Sequence, residues 1–306
     1  MTVPQWLLLL LFLSGIPTVV AQVDSTYIGK FPQEYSARVY LSRKFVTLSS
    51  QYPDADNKEY TANSPFAIGA GFTWGNSGLS YSYGFGFLAD KSKGKTRYFD
   101  LEYHYYGRKI VLDFFGLDYE GLYYQDTEND VLNMYPDAQL TNIGVFGQYV
   151  FNGERFSYRA AFDQVQVQLK SAGSFLLGGG AYYNRVRADN VFGFRKELYQ
   201  IGPSLGYAYT WVINPQFFVT GSLTPGVTMG FKNFEDKIDW NPSLFFRFAS
   251  GYNINDWSVN LSFLMNRLYV SYEQSNQVGV STATLQLMLV KRFDSSSRLL
   301  KKLPRL

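Results

Sequence analysis

The chain has 306 residues, of which 18% are aromatic, with 25 Tyr and 26 Phe alongside 27 Gly and no Cys. Charged residues make up 17% and the formal net charge is +3. These values exclude a disordered chain, which lacks aromatics, and a disulfide scaffold or thiolate metal site. They give no support to nucleic-acid binding.

The first element is apolar. Leu7 to Leu13 form an almost unbroken hydrophobic run, and Val19-Val20-Ala21 precede Gln22. Small residues at Val19 and Ala21 fit a signal-peptidase site, so residues 1–21 are predicted to be a signal peptide cleaved after Ala21. Lys30 is the first basic residue, which leaves only the terminal amine ahead of the apolar run. That run is shorter than the ~20 residues a spanning helix needs. No later stretch reaches that length, so any membrane insertion of the mature chain uses strands.

From residue 36 to 293 the dominant signal is period two, the repeat of a β-strand. A first strand is predicted at about Ala37–Ser49. Phe66, Ile68, Ala70, Phe72 and Trp74 then alternate with small residues. After the turn Gly75-Asn76-Ser77-Gly78, Leu79, Tyr81, Tyr83, Phe85 and Phe87 resume the pattern, which predicts a hairpin. Phe99 to Tyr105 and Ile110 to about Tyr119 form the next pair. Ile143 to Phe151 leads through Asn152-Gly153-Glu154-Arg155 into a predicted strand carrying Phe156, Tyr158, Ala160 and Phe162. Further strands are expected at about Ser174–Arg185, Ile201–Ile213, Phe217–Phe231, Trp240–Tyr252 and Trp257–Met265. A last strand ends near Phe293.

Short turns near residues 76, 108, 153, 214 and 255 alternate with long polar connections at about 50–64, 89–96, 120–137, 232–239 and 271–279. Outer-membrane barrels show this alternation, with the short turns periplasmic. The fold class is therefore all-β: an antiparallel up-and-down transmembrane β-barrel. The tally of 13 strands is odd, and the alternation slips between Val165 and Gln200. Either one strand is split too many or a weak one hides near Val191–Lys196, so the barrel has 12 or 14 strands. Residues 22–35 are read as an N-terminal periplasmic segment and 294–306 as a basic tail, with Arg298, Lys301, Lys302 and Arg305 among leucines.

A soluble β-sandwich also alternates, but its wet face carries many Lys and Glu. Here the second face is mostly Gly, Ser, Thr and Ala, which suits a crowded barrel interior. Trp74, Trp211, Trp240 and Trp257 all fall on the apolar parity beside turns or loops. That placement predicts aromatic girdles at the two membrane boundaries.

Four segments are distinctive: Tyr40-Leu41-Ser42-Arg43-Lys44-Phe45, Arg155 to Phe162, Lys170 to Gly179, and Gly202 to Tyr209. Together they resemble an uncharacterised family, a domain of unknown function, of exported outer-membrane-barrel-like proteins of Bacteroidota. The resemblance spans roughly residues 30–293. It implies a compartment and an architecture, and carries over no catalytic residue, cofactor or metal.

Several charges share the lumenal parity: Arg38, Asp100, Glu102, His104, Asp113, Arg159, Asp163 and Arg247. They are candidate lumen-lining residues, setting the selectivity of a pore or pairing across a filled lumen. His104 is the single histidine. It has no nearby serine in a His-x-Ser arrangement, which favours a structural polar network over a general base. The loop at 89–97 lacks phosphate-loop spacing, and the acids of 120–137 lack EF-hand spacing. The leading functional expectation is a pore or small-solute transporter. A closed-lumen structural or surface-interaction protein is the alternative, and an envelope lipid-modifying enzyme is third. The expected partners are the lipid bilayer of the bacterial outer membrane and a small solute or surface partner.

Overall fold

The computed structural model describes residues 23–52, 55–74, 77–126, 129–188, 194–231, 239–273 and 276–294. The predicted signal peptide and, apart from Asp294, the basic tail lie outside the described residues. Strand β1 spans Ile28–Lys30, β2 Tyr35–Tyr52, β3 Ala55–Ala62, β4 Phe66–Trp74 and β5 Ser77–Gly84. Strand β6 is Arg97–Tyr106, β7 Ile110–Asp126, β8 Val131–Val150, β9 Gln166–Gln168 and β10 Ala172–Ala188. Strand β11 is Phe194–Val212, β12 Phe217–Phe231, β13 Asp239–Ile254, β14 Trp257–Glu273 and β15 Asn276–Phe293.

Thirteen strands form one antiparallel sheet, and β15 pairs with β2 along its length, from Gln277↔Gln51 to Phe293↔Tyr35. The sheet closes on itself, which removes the exposed edges of an open sheet except where β5 and β6 part beyond Tyr81↔Leu101. Strands β3 and β4 are two halves of one crossing, because both pair with β2: β3 at Thr47↔Thr61, β4 from Arg43↔Phe66 to Tyr35↔Trp74. The barrel therefore has 12 crossings. Of the predicted weak strand near Val191–Lys196, residues 194–196 begin β11 and the rest lies outside the described residues.

One predicted strand is absent. Phe156, Tyr158, Ala160 and Phe162 do not join the wall. Strand β10 pairs directly with β8, from Leu176↔Val150 upward, and leaves no free edge there. The chain from Phe151 to Ser171 instead folds inward from the short-turn end. Arg159–Asp163 make a π-helical turn, closed by the Gln164 N–H donating to the Arg159 carbonyl at 2.8 Å. Ala160 to Gln164 are all buried, a run of consecutive burial that no strand produces. This inserted segment also explains the slip in turn alternation after Val165.

Two predicted loops are mostly ladder. Residues 120–126 and 131–137 continue β7 and β8 as a paired ladder, with pairs such as Leu122↔Tyr135 and Asp126↔Val131. Residues 50–64 carry the end of β2 and all of β3. Long strands that outrun the ~9–11 residues of a membrane crossing project beyond it. In the other direction, the strand predicted to reach Phe87 ends at Gly84, and Gly86–Leu88 form a short 3-10 turn.

The lumen is filled at both ends. Near the long-loop end Val46, Leu48, Tyr119, Leu140 and Val280 pack into an apolar cluster. At the other end Phe156, Tyr158 and Phe162 pack against Tyr106, Phe218 and Ala249 of the wall. Below them β1 pairs with β9, Ile28↔Gln168 to Lys30↔Gln166, and straps the inserted segment in place. Gln168 ties the strap together, accepting from Ser157 N at 3.1 Å and donating to the carbonyls of Tyr27, Arg155 and Lys170.

Candidate functional site: a charged chamber at the barrel waist

Between the two fillings lies a cavity of about 120 Å³, lined by Arg38, Lys44, Glu102, His104, Asp113 and Arg247 among others. Period two puts these side chains there. Arg38 and Lys44 are six residues apart on β2, and Glu102 and His104 two apart on β6, so each pair shares a face.

Six of the charges form one chain, from Asp100 through Lys44, Glu102, His104 and Asp113 to Arg247, and Arg38 forms a separate pair with Asp163. Lys44 binds the Asp100 carboxylate and donates to Glu102 Oε1 at 3.0 Å. Glu102 Oε2 lies 3.6 Å from His104 Nε2, and His104 Nδ1 lies 2.7 Å from Asp113 Oδ1. Asp113 in turn binds Arg247, whose guanidinium stands 5.8 Å over the Tyr158 ring. Arg38 donates to Asp163 Oδ1 at 3.3 Å and to Thr73 Oγ1 at 3.1 Å. Burial in a barrel interior is tolerable for charges only when they are paired in this way.

Arg38, Glu102, His104, Asp113, Asp163 and Arg247 line the chamber, Asp100 lines the neck beside it, and Arg159 lies in the inserted turn, so the candidates reach this region by two routes. Arg38, Asp100, Glu102, His104, Asp113 and Arg247 project from wall strands. Asp163 and Arg159 belong to the inserted turn. Sequence reasoning missed Lys44, although its spacing from Arg38 was visible. It also missed Arg292, which is 1% exposed and holds the inserted turn. Arg292 donates to the Gln164 carbonyl at 2.8 Å and to Ser258 Oγ at 2.6 Å. Its position next to the last strand residue gave no hint of a partner 128 residues away.

A narrow neck of about 30 Å³ leads from the chamber toward β5 and β6, lined by Tyr40, Lys44, Ser64, Ser82, Tyr98 and Asp100 among others. Over it lies the 85–96 connection. There Asp90 caps a 3-10 turn, accepting from Ser92 Oγ at 2.6 Å and Ser92 N at 3.0 Å. Those two hydrogen bonds hold its carboxyl below the ordinary carboxylate value.

Trp74 ends β4, Trp257 begins β14, and Trp211 and Trp240 sit one residue inside the ends of β11 and β13. Trp211, Trp240 and Trp257 are exposed on the outer wall and Trp74 is half-buried there.

Residues 22–293 match the family described as Domain of unknown function (DUF4421). No curated protein matches the chain. Among solved structures, the outer-membrane expressed OmpT of Vibrio cholerae aligns at 8% identity, covering 84% of this chain and 98% of its own, with a TM-score of 0.30. An outer membrane channel from Pseudomonas putida F1 aligns at 11% identity over 89% of this chain and 100% of its own, with a TM-score of 0.34. The toluene transporter TodX of P. putida aligns at 7% identity over 86% and 91%, with a TM-score of 0.31.

Proposed function

The chain belongs to the DUF4421 family, whose description assigns no function, and from that premise we propose that it is an outer-membrane β-barrel that moves a small solute through the chamber at its waist. Its outer face supports the membrane placement. In mid-strand, Leu205 is 59% and Leu223 50% exposed, while their neighbours Ser204 and Ser222 are buried. In water this is an inverted pattern, because soluble monomers rarely expose apolar patches beyond a few hundred Å². In lipid it is the favourable one, since a closed sheet satisfies its own backbone and presents apolar side chains to the acyl chains. The tryptophans at strand ends fit the two water boundaries.

The observation that carries transport is the chamber itself. A hollow lined by a chain of charges sits between an inserted segment and an apolar cluster, an arrangement suited to holding a solute with both ends shut. The same double filling favours a second reading, a closed-lumen structural or surface-interaction protein. One experiment separates them. Residues 156–168 are replaced by a short Gly/Ser turn, and the wild type and variant are compared in planar bilayers in KCl. Transport through the chamber predicts a quiet wild type, and a steady conductance in the variant that changes when Arg247→Gln is added. A variant that stays silent, yet is folded, supports the closed-lumen reading.

A further inference from the structure

The wall has one discontinuity. The ladder between β5 and β6 runs from Ser77↔Tyr105 to Tyr81↔Leu101 and stops. Both strands continue past it: β5 stays paired with β4 up to Ala67↔Gly84, and β6 stays paired with β7 up to Arg97↔Glu120. Above the gap the ring closes without either of them, through Thr61↔Tyr123 and Ala62↔Leu122 between β3 and β7. The 85–96 connection is tied over the opening. Asn63 Nδ2 donates to the Asp90 and Gly94 carbonyls at 2.7 Å each, and Thr96 Oγ1 donates to the Gly121 carbonyl at 2.7 Å.

The gap holds a cavity of about 790 Å³, with Tyr81, Tyr83 and Phe99 on its outer rim and Ser82, Tyr98 and Asp100 toward the lumen. The last three also line the neck, and the neck shares Lys44 and Glu102 with the chamber. The series from outer wall to chamber is thus continuous, with the neck as its narrowest part.

Tyr98 stands in that passage. Its ring stacks on Tyr119 at 5.4 Å, and its hydroxyl occupies the space that a Cβ at Gly84 would need. The hydroxyl has no hydrogen-bond partner, and neither have Asp100 Oδ1 and Ser64 Oγ, although all three atoms are buried. Three orphaned polar atoms at one constriction are costly unless a ligand or water satisfies them.

We propose that the gap between β5 and β6 is a lateral portal, gated by Tyr98, through which a neutral amphiphile with a hydroxyl-bearing head passes from the bilayer to the chamber. The inference rests on the membrane placement argued above and names the solute class. The apolar chain lies along Tyr83, Phe87 and Phe99, which are 64%, 74% and 57% exposed. The head donates to Asp100 Oδ1 and exchanges hydrogen bonds with the Tyr98 and Ser64 hydroxyls. Lys91, Lys95 and Arg97 line the outer cavity with Asp90, but an anionic head is disfavoured at the neck, where the carboxylates of Asp100 and Glu102 outnumber the one ammonium of Lys44.

The test uses the absence of cysteine in the sequence. Ser82→Cys, in the passage, and Ser222→Cys, a lumenal control on β12, are reconstituted in phosphatidylcholine vesicles containing dodecylmaleimide. Folding of each is checked by heat-shifted gel migration. The proposal predicts that Ser82→Cys is modified from the lipid and Ser222→Cys is not. Adding Tyr98→Ala speeds the reaction several-fold. Monolauroylglycerol slows it, and laurate at equal concentration does not. The proposal is overturned if the folded Ser82→Cys variant reacts no faster than the control, if Tyr98→Ala leaves its rate unchanged, or if laurate competes as well as the glyceride. Conductance is not part of this readout, so a portal without transport and transport without a portal give different results.

Discussion

Arg38 on β2 reaches 125 residues along the chain to Asp163 in the inserted turn, Nη1 to Oδ1 at 3.3 Å, with the two side chains 7% and 1% exposed. This pair joins the barrel wall to the segment that fills its lower lumen. The inserted segment is therefore held by a specific charge contact as well as by the packing of Phe156, Tyr158 and Phe162.

Removing one partner of that pair leaves a buried charge uncompensated. Arg38→Met is expected to destabilise the seating of the segment by about 3–5 kcal/mol. The double variant Arg38→Met with Asp163→Leu is expected to recover most of the loss. The measurement is hydrogen exchange across residues 156–164 in the folded barrel. Equal protection in the wild type and Arg38→Met would deny the pair its role.

The strap is expected to depend on Gln168, whose amide makes four hydrogen bonds with Ser157, Tyr27, Arg155 and Lys170. Gln168→Leu strands buried partners, at roughly 1–3 kcal/mol for each left unsatisfied. Exchange should rise in 27–30 and 166–168 while the β10–β15 wall keeps its protection. A uniform loss across the wall would mean that strap and barrel fold as one unit.

Gly121 has φ +92 at the register shift between β7 and β8, and a Cβ there would overlap the Lys95 carbonyl. Only glycine adopts that conformation freely and allows so close an approach. Gly121→Ala is expected to cost about 1–3 kcal/mol in backbone strain and to loosen the 85–96 connection. Limited proteolysis at Lys91, Lys93 and Lys95 reads this directly, and unchanged cleavage would contradict it.

The outer wall gives a sharper contrast. Leu205→Arg places a charge on the lipid face of β11, at an expected cost of about 2–4 kcal/mol at the bilayer midplane. In a water-exposed sheet the same change at a 59% exposed site would be close to neutral. Urea unfolding from vesicles measures the difference.

The alternation of large and small residues makes the wall legible in the sequence. In β4, Phe66 and Ile68 face outward while Ala67 and Gly69 face in, as period two requires. The lumenal charges of β2, β6, β7 and β13 share that parity, whereas Arg159 and Asp163 belong to a predicted strand that does not form. The inserted segment was not legible, because Phe156, Tyr158, Ala160 and Phe162 imitate a strand. Their true environment is set by residues far away in sequence: Arg292, Arg38, and Asn260, whose Nδ2 donates to the Ala161 carbonyl at 3.1 Å. The paired segments within 120–137 and 50–64 were hidden by polar residues, which a ladder projecting past the membrane tolerates on its outer face. The gap beside Tyr98 carries no local signal at all, because it arises where β3 reaches β7 above two shorter strands.

A closed barrel inserted in the outer membrane resists unfolding in detergent until it is boiled. Fractionation of cells producing the protein, followed by unboiled and boiled gel migration, reads this directly. The expected result is an outer-membrane band that runs faster unboiled than boiled. A soluble band with no heat shift would contradict the membrane barrel.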